Sequence, residues 1–323
     1  MRSLSGALAV AIVLIGACSS FESTPSTDPS DADAGSDAAE PDGSAAEDGA
    51  PPPDVDAEVR CDRNAPFTSI RRIDGVNTPV NEHFPRISLD ERVLYFQRST
   101  ENEITIYRAT RRTPADVFDT PVPVEGLPEM AAHPTLSADE LEIVFTQRLN
   151  QRWWLWRARR PTPTAPFGEA EPHPVNDPMA DSFTPFLSVD GTELYLARFA
   201  VTTNWDLVRS KLDADGGVGP PEALDTLNTS AWDGDPVLSP DGLSLYFYSE
   251  RALPGSGKGS IWVAHRDTPT GPFRNPERIE ELVFDDAYSS PGSVSADGCR
   301  LYFYSNKDRA TTGLDLYVAE RSP

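Results

Sequence analysis

Three observations predict an all-β fold built as a five-bladed propeller with four strands per blade. The first is repetition. A unit that reads Pro236-Val237-Leu238-Ser239-Pro240-Asp241-Gly242, then Leu245-Tyr246-Phe247-Tyr248, recurs in degraded form around Ser88, Ser137, Ser188 and Ser295. The serines lie 49, 51, 51 and 56 residues apart, and a fixed period near 50 residues marks a repeat architecture. The second is the density of turn signals, which divide each period into four short apolar runs with no sustained helical periodicity. The third is the filling of both strand faces. Leu245 and Phe247 share one parity, Tyr246 and Tyr248 the other, as expected of sheets packed on both sides.

The first two runs of each unit flank Ser-x-Asp-Gly. Asp241 suits a central turn position, and Gly242 accepts a left-handed backbone without a Cβ clash. This is the chemistry of a short hairpin loop built on a type I turn with a glycine bulge, and it assigns Ser and Asp to the turn, with a calcium-binding or catalytic role as the alternative. Glu91 and Glu140 replace the glycine in two copies. Keeping the backbone there costs about 1 kcal/mol each, so those two turns are expected to differ. The third runs are Thr105–Ala109, Trp154–Ala158, Asp206–Ser210, Ser260–Ala264 and Asp315–Ala319. A Pro-rich turn then leads to a fourth, at Pro123-Val124, Pro174-Val175-Asn176, Ala223-Leu224 and Arg278-Ile279. Residues 64–77 match this fourth run, whereas the last residues of the chain stop after a third. The expectation is that Phe67–Ile73 completes the last blade beside Leu314–Glu320, removing two exposed strand edges.

The chain has 323 residues and a formal net charge of −23. Twelve acids and one base fall within residues 19–60, leaving 61–323 at a milder −13. An acidic surface repels phosphate backbones, so nucleic acid is not an expected partner. Arg2, the apolar run Ala7–Ile15 and then Gly16-Ala17-Cys18 read as a secretory signal, too short to span a bilayer. Residues 19–60 are rich in Ala, Asp, Pro, Ser and Gly, and cannot bury enough surface to offset their ordering entropy. They read as a disordered acidic tether with a mean reach of roughly 35 Å. The domains are therefore 1–18 signal peptide, 19–60 tether and 61–323 propeller, the last expected to be a monomer. Cys61 opens the closing strand and Cys299 lies in the second strand of the blade it completes. In an oxidising compartment the two are expected to form a disulfide.

The loop leading into each innermost strand carries acids or histidines: Glu82 and His83, Glu129 and His133, Asp181, Asp233 and Asp235, Asp285 and Asp286. Innermost strands line a propeller's channel, so these residues are candidates for binding at one mouth. Two carboxyls about 5–9.5 Å apart would serve a glycosidase. Phe183, Trp232 and Tyr288 lie in the same loops and suit stacking on a sugar or peptide, or wedging between blades. Trp153, Trp154 and Trp156 read as packing. Gly255–Ser260 lacks the first glycine of a phosphate loop. The histidines at 83, 133, 173 and 265 have no short ligand spacing. No metal or cofactor is expected, and no catalytic residue is assigned.

The Pro-x-Leu-Ser-x-Asp-Gly-x-x-Leu-Tyr-Phe pattern, clearest at Pro236–Ser249, Pro185–Leu196 and Pro291–Ser305, resembles the WD-like repeat of TolB-type propellers and many bacterial surface proteins. Ile15-Gly16-Ala17-Cys18 resembles a bacterial lipobox. That resemblance implies lipidation of Cys18 and membrane attachment through it. With Ser19 following, it implies the outer membrane. The Pro-Thr-Gly-Pro-Phe run at 269–273 is similar to turns of five-bladed arabinose- and xylose-polymer glycosidases, and Ser-x-Asp-Gly is weakly similar to the sialidase turn. The function expected is non-catalytic binding of an envelope protein or glycan. The alternative is a glycan hydrolase of sialidase or arabinanase type, using carboxylates at the channel mouth.

Overall fold

A computed structural model describes residues 61–200, 204–251, 258–308 and 313–322. The lipobox with Cys18, the acidic tether and residues 255–257 of the Gly255–Ser260 loop lie outside the described residues. The fold is a ring of five four-stranded antiparallel sheets. Blade 1 comprises β2 (Asn81–Ile87), β3 (Val93–Ser99), β4 (Ile104–Thr110) and β5 (Val122–Pro123). Blade 2 comprises β6 (Ala132–Leu136), β7 (Glu142–Leu149), β8 (Arg152–Arg159) and β9 (Glu171–Pro172). Blade 3 holds β10 (Ala180–Leu187), β11 (Glu193–Ala200), β12 (Trp205–Lys211) and β13 (Glu222–Ala223). Blade 4 holds β14 (Asp233–Leu238), β15 (Ser244–Ser249), β16 (Ser260–His265) and β17 (Arg274–Arg278). Blade 5 has β18 (Ser289–Val294), β19 (Arg300–Ser305) and β20 (Asp315–Arg321), and its outer strand is β1 (Phe67–Arg72). β1 runs antiparallel to β20, with Ile70 opposite Ala319 and Arg72 opposite Tyr317. Cys61 and Cys299 form a disulfide across 238 residues of sequence.

The second strand of each blade explains why both parities are apolar. Leu94 and Phe96, Ile143 and Phe145, Leu194 and Leu196, Leu245 and Phe247, and Leu301 and Phe303 are all fully buried. Tyr95, Val144, Tyr195, Tyr246 and Tyr302, on the opposite face, are buried too. Each sheet is therefore covered by a neighbour on both sides.

All five turns share one geometry. The repeat serine hydroxyl donates to the aspartate Oδ1 at 2.5–2.6 Å. That oxygen accepts the amide two residues on, as Leu141 N does for Asp139 at 3.0 Å. The glycine position has φ of 70° at Gly191, 72° at Gly242 and 76° at Gly298, and φ of 56° at Glu91 and 60° at Glu140. The expectation that the two glutamate turns would differ is thus corrected: they keep the glycine backbone. Their side chains supply the compensation. Tyr302 donates to Glu91 at 2.5 Å and Arg300 to it at 2.7 Å. Tyr95 donates to Glu140 at 2.6 Å.

These glutamates belong to a repeated rivet between blades. An arginine after the third strand stacks on the phenylalanine of its own Pro-rich turn and meets a tyrosine of the preceding blade. Arg111 lies 4.3 Å from the Phe118 ring and donates to Tyr302. Arg160 lies 4.3 Å from Phe167 and donates to Tyr95 at 2.6 Å. Arg321 lies 4.1 Å from Phe67 and donates to Tyr246. Arg266 stacks on Phe273 and pairs with Glu193, which accepts from Tyr195. The boundary between blades 2 and 3 changes all three partners together: Val144, Leu212 and Val218 replace tyrosine, arginine and phenylalanine and pack in one apolar cluster.

Candidate functional site

Four innermost strands are bulged at the residue before their proline, where the register with the second strand shifts. Those residues, Phe84, His133, Thr184 and Asp235, have φ between 44° and 52°. A left-handed conformation costs a non-glycine residue roughly 1–2 kcal/mol, so the surroundings must hold it. In β18 the shift falls instead at Gly292, where a Cβ would meet Pro85 at 2.4 Å. The bulges bring side chains of different blades into contact. Phe84 meets His133 edge-on at 4.4 Å. Asp235 accepts hydrogen bonds from Ser290 at 2.5 Å and Tyr304 at 2.8 Å.

Around this level runs a closed circuit of aromatic rings. Ring centroids are 5.8 Å apart for His83–Phe84, 4.4 Å for Phe84–His133 and 4.1 Å for His133–Phe183. The circuit continues through Phe183–Trp205 at 5.3 Å, Trp205–Trp232 at 6.1 Å and Trp232–Tyr248 at 5.6 Å. It returns through Tyr248–Tyr288 at 6.4 Å, Tyr288–Tyr304 at 6.3 Å and Tyr304–His83 at 5.4 Å. Trp153 braces it, 5.3 Å from Phe183. Most contacts are tilted or edge-to-face, the arrangement the ring quadrupoles favour. Trp153, Phe183, Trp205, Trp232 and Tyr288 keep part of their surface in solvent.

The acids and histidines singled out in the sequence divide by environment. Glu82 and Asp233 are fully buried and bonded to the scaffold. Glu82 accepts from Thr78 at 2.5 Å and Arg98 at 2.9 Å. Asp233 accepts from Thr229 at 2.7 Å, Ser249 at 2.5 Å and Arg251 at 2.8 Å. The same arginines donate to Val76 and Leu227 carbonyls, and Asn77 and Asn228 pin those loops to Leu316 and Leu207. Asp181 accepts from the Trp153 amide at 3.1 Å. Glu129 and Asp286 are exposed.

Asp235 and His133 are buried and His83 is half-buried. Burial raises the Asp235 carboxyl above the usual carboxylate range, against the pull of Ser290, Tyr304 and Arg86. Burial lowers His83 to about 4 and holds His133 well below an ordinary imidazole. His83 Nε2 lies 3.0 Å from the Ser99 hydroxyl. The buried His133 Nδ1 and Trp232 Nε1 have no hydrogen-bond partner among the described residues.

Sequence reasoning missed Arg86, the centre of the next layer. Its guanidinium is buried and donates to the carbonyls of Pro134 at 2.8 Å, Pro185 at 3.2 Å and Gly292, in three other blades. The signal was present. Arg86 stands two residues before the repeat serine, where the other copies place Thr135, Phe186, Val237 and Ser293, and a charge at an inward repeat position requires partners.

No family model matches the sequence, and no curated protein matches it. Solved structures do. The α-L-arabinofuranosidase from Podospora anserina in complex with cellotriose is similar at 14% identity and TM-score 0.53, over 82% of this chain and 99% of that one. A thermostable family-43 glycoside hydrolase is similar at 16% identity and TM-score 0.51, over 78% of this chain and 98% of that one. TolB from Acinetobacter baumannii is similar at 16% identity and TM-score 0.43; the match spans 75% of this chain and 55% of TolB. At these identities the likeness to the two hydrolases is one of fold.

Proposed function

We propose that this chain is a lipid-anchored propeller of the bacterial cell envelope, attached through Cys18, that binds a glycan or protein segment non-catalytically at the mouth ringed by aromatics. The aromatic circuit carries the reading. Part-exposed rings held in one orientation by their neighbours offer flat apolar faces beside polar groups, which suits a sugar or an extended peptide, and they lose little conformational entropy on binding. The acids support binding better than turnover. Of the candidates, Glu82 and Asp233 are tied to Arg98 and Arg251, so Asp235 has neither of them free as the second carboxylate that glycoside hydrolysis requires.

Asp235 itself favours a second reading, a glycan hydrolase, because a carboxyl raised by burial suits a general acid. A glycan array and an envelope pull-down with the full chain, alongside Trp205→Ala/Trp232→Ala, test the first reading. Binding that falls at least about ten-fold in the variant supports it, and binding unchanged in the variant overturns it. Release of reducing ends from a bound glycan, abolished by Asp235→Asn, would install the hydrolase in its place.

A further inference from the structure

We propose that the opposite mouth of the channel, on the side of the Ser-x-Asp turns, is a separate binding site for a short aliphatic carboxylate. The inference does not rest on the aromatic mouth. It begins with the residue between serine and aspartate, which is Leu89, Ala138, Val189, Pro240 and Ala296 in the five copies. Turn chemistry sets the serine and the aspartate but asks nothing of this position, and a hairpin tip is ordinarily polar. The residue before each serine is apolar in all five copies as well, from Ile87 to Val294. All of these positions except Ala296 line one cavity of about 80 Å³. Leu89 is 41% exposed at its rim.

A cation stands in the wall of this apolar funnel. Arg86 lines the cavity, and three of its five N–H groups go to the Pro134, Pro185 and Gly292 carbonyls. Among the described residues no acceptor meets the other two, and no carboxylate lies within ion-pair distance of the guanidinium. The one acid of the wall, Glu140, is engaged by Tyr95 and by Arg160 at 3.6 Å. Asp235 acts on the guanidinium from beyond ion-pair distance; a buried charge calls for a closer counter-charge, and a guanidinium edge matches a carboxylate. An anion reaching Arg86 must have an apolar body, because apolar side chains form most of the wall above it. The volume is about half that of the ~150 Å³ cavity that admits benzene, which fits a chain of about four or five carbons with its end emerging at Leu89.

Titration calorimetry on the full chain tests this with four probes: butyrate, hexanoate, hexanol and hexylamine. Saturable binding of hexanoate is expected, tighter than butyrate, with hexanol and hexylamine at least about ten-fold weaker. Ala138→Trp, at an exposed tip, should abolish hexanoate binding by filling the funnel. Leu89→Glu should weaken it at least about ten-fold by placing an anion on the rim. Trp232→Ala, at the far mouth, should leave it unchanged. Absence of saturable hexanoate binding, equal binding of hexanol, or full binding by both funnel variants would overturn the proposal.

Discussion

At the scale of single residues, stability is decided by polar groups that have left water. Arg160, Glu140 and Tyr95 show the terms. Arg160 joins Tyr95 and Glu140 and stacks on Phe167, Tyr95 also accepts from Arg108, and the blade 2–blade 3 boundary shows the apolar alternative with Val144, Leu212 and Val218. Arg160→Leu alone should cost about 3 kcal/mol or more, because Glu140 stays behind without its cation. Adding Tyr95→Val and Glu140→Gly should recover most of that loss, since the triple variant copies the apolar boundary in all but Phe167 and relieves the left-handed glutamate. Urea unfolding of the two variants measures the difference. A triple variant no more stable than Arg160→Leu would mean that the polar rivet has no apolar equivalent at this boundary.

The histidines give the molecule a pH dependence at the same scale. Burial lowers His173 to about 4, with Arg157 adding to the effect, and its Nδ1 accepts the Val175 amide at 3.2 Å. Burial holds His133 well below an ordinary imidazole as well. A folded-state value below the unfolded one means that the unfolded chain takes up the proton first. Stability is complete above the unfolded value near 6.5 and falls as the pH drops toward 4. The expected loss is a few kcal/mol over that window. His173→Gln should flatten the dependence of the urea midpoint on pH between 4 and 6.5, and an unchanged slope would remove His173 from the account.

At the scale of elements, the strands and turns were legible and their partners less so. The hairpins, the Pro-rich turns and the four-strand period follow from glycine, proline and parity, which act over a few residues. The Cys61–Cys299 disulfide was legible because both cysteines were expected in the same blade, one in its closing strand and one in its second. Its effect should be large. A link closing more than 200 residues restricts the unfolded chain by up to ~5 kcal/mol, so Cys299→Ser or added dithiothreitol should lower the melting temperature by roughly 10 °C. The bulges were not legible, since no local rule marks Phe84 or His133 for a left-handed backbone. The aromatic circuit was legible only in pieces. Phe183, Trp232 and Tyr288 stood in the lead-in loops, but Trp153, Trp205, Tyr248 and Tyr304 come from second strands, third strands or their ends. Only the ring of blades brings them together.

At the scale of the whole molecule, Arg86 links blades that are remote in sequence. Blade 1 supplies the guanidinium; blades 2, 3 and 5 supply the carbonyls, while Phe186 of blade 3 lies under it at 5.0 Å. No pairwise reading of neighbouring repeats reveals such a contact, because it exists only once five sheets share an axis. The arrangement predicts a difference in kind between two arginine losses. Arg160→Leu breaks one boundary, so hydrogen exchange should quicken in blades 1 and 2 and stay near its parent rate elsewhere. Arg86→Met removes charge-assisted bonds to three backbone carbonyls and leaves Asp235 without the cation that opposes its desolvation. Its cost should reach about 3–5 kcal/mol, and faster exchange should appear in β2, β6, β10 and β18 together. If Arg86→Met instead quickened exchange in β2 alone, the guanidinium would be a filler of blade 1, and the inner strands would owe their convergence to the bulges.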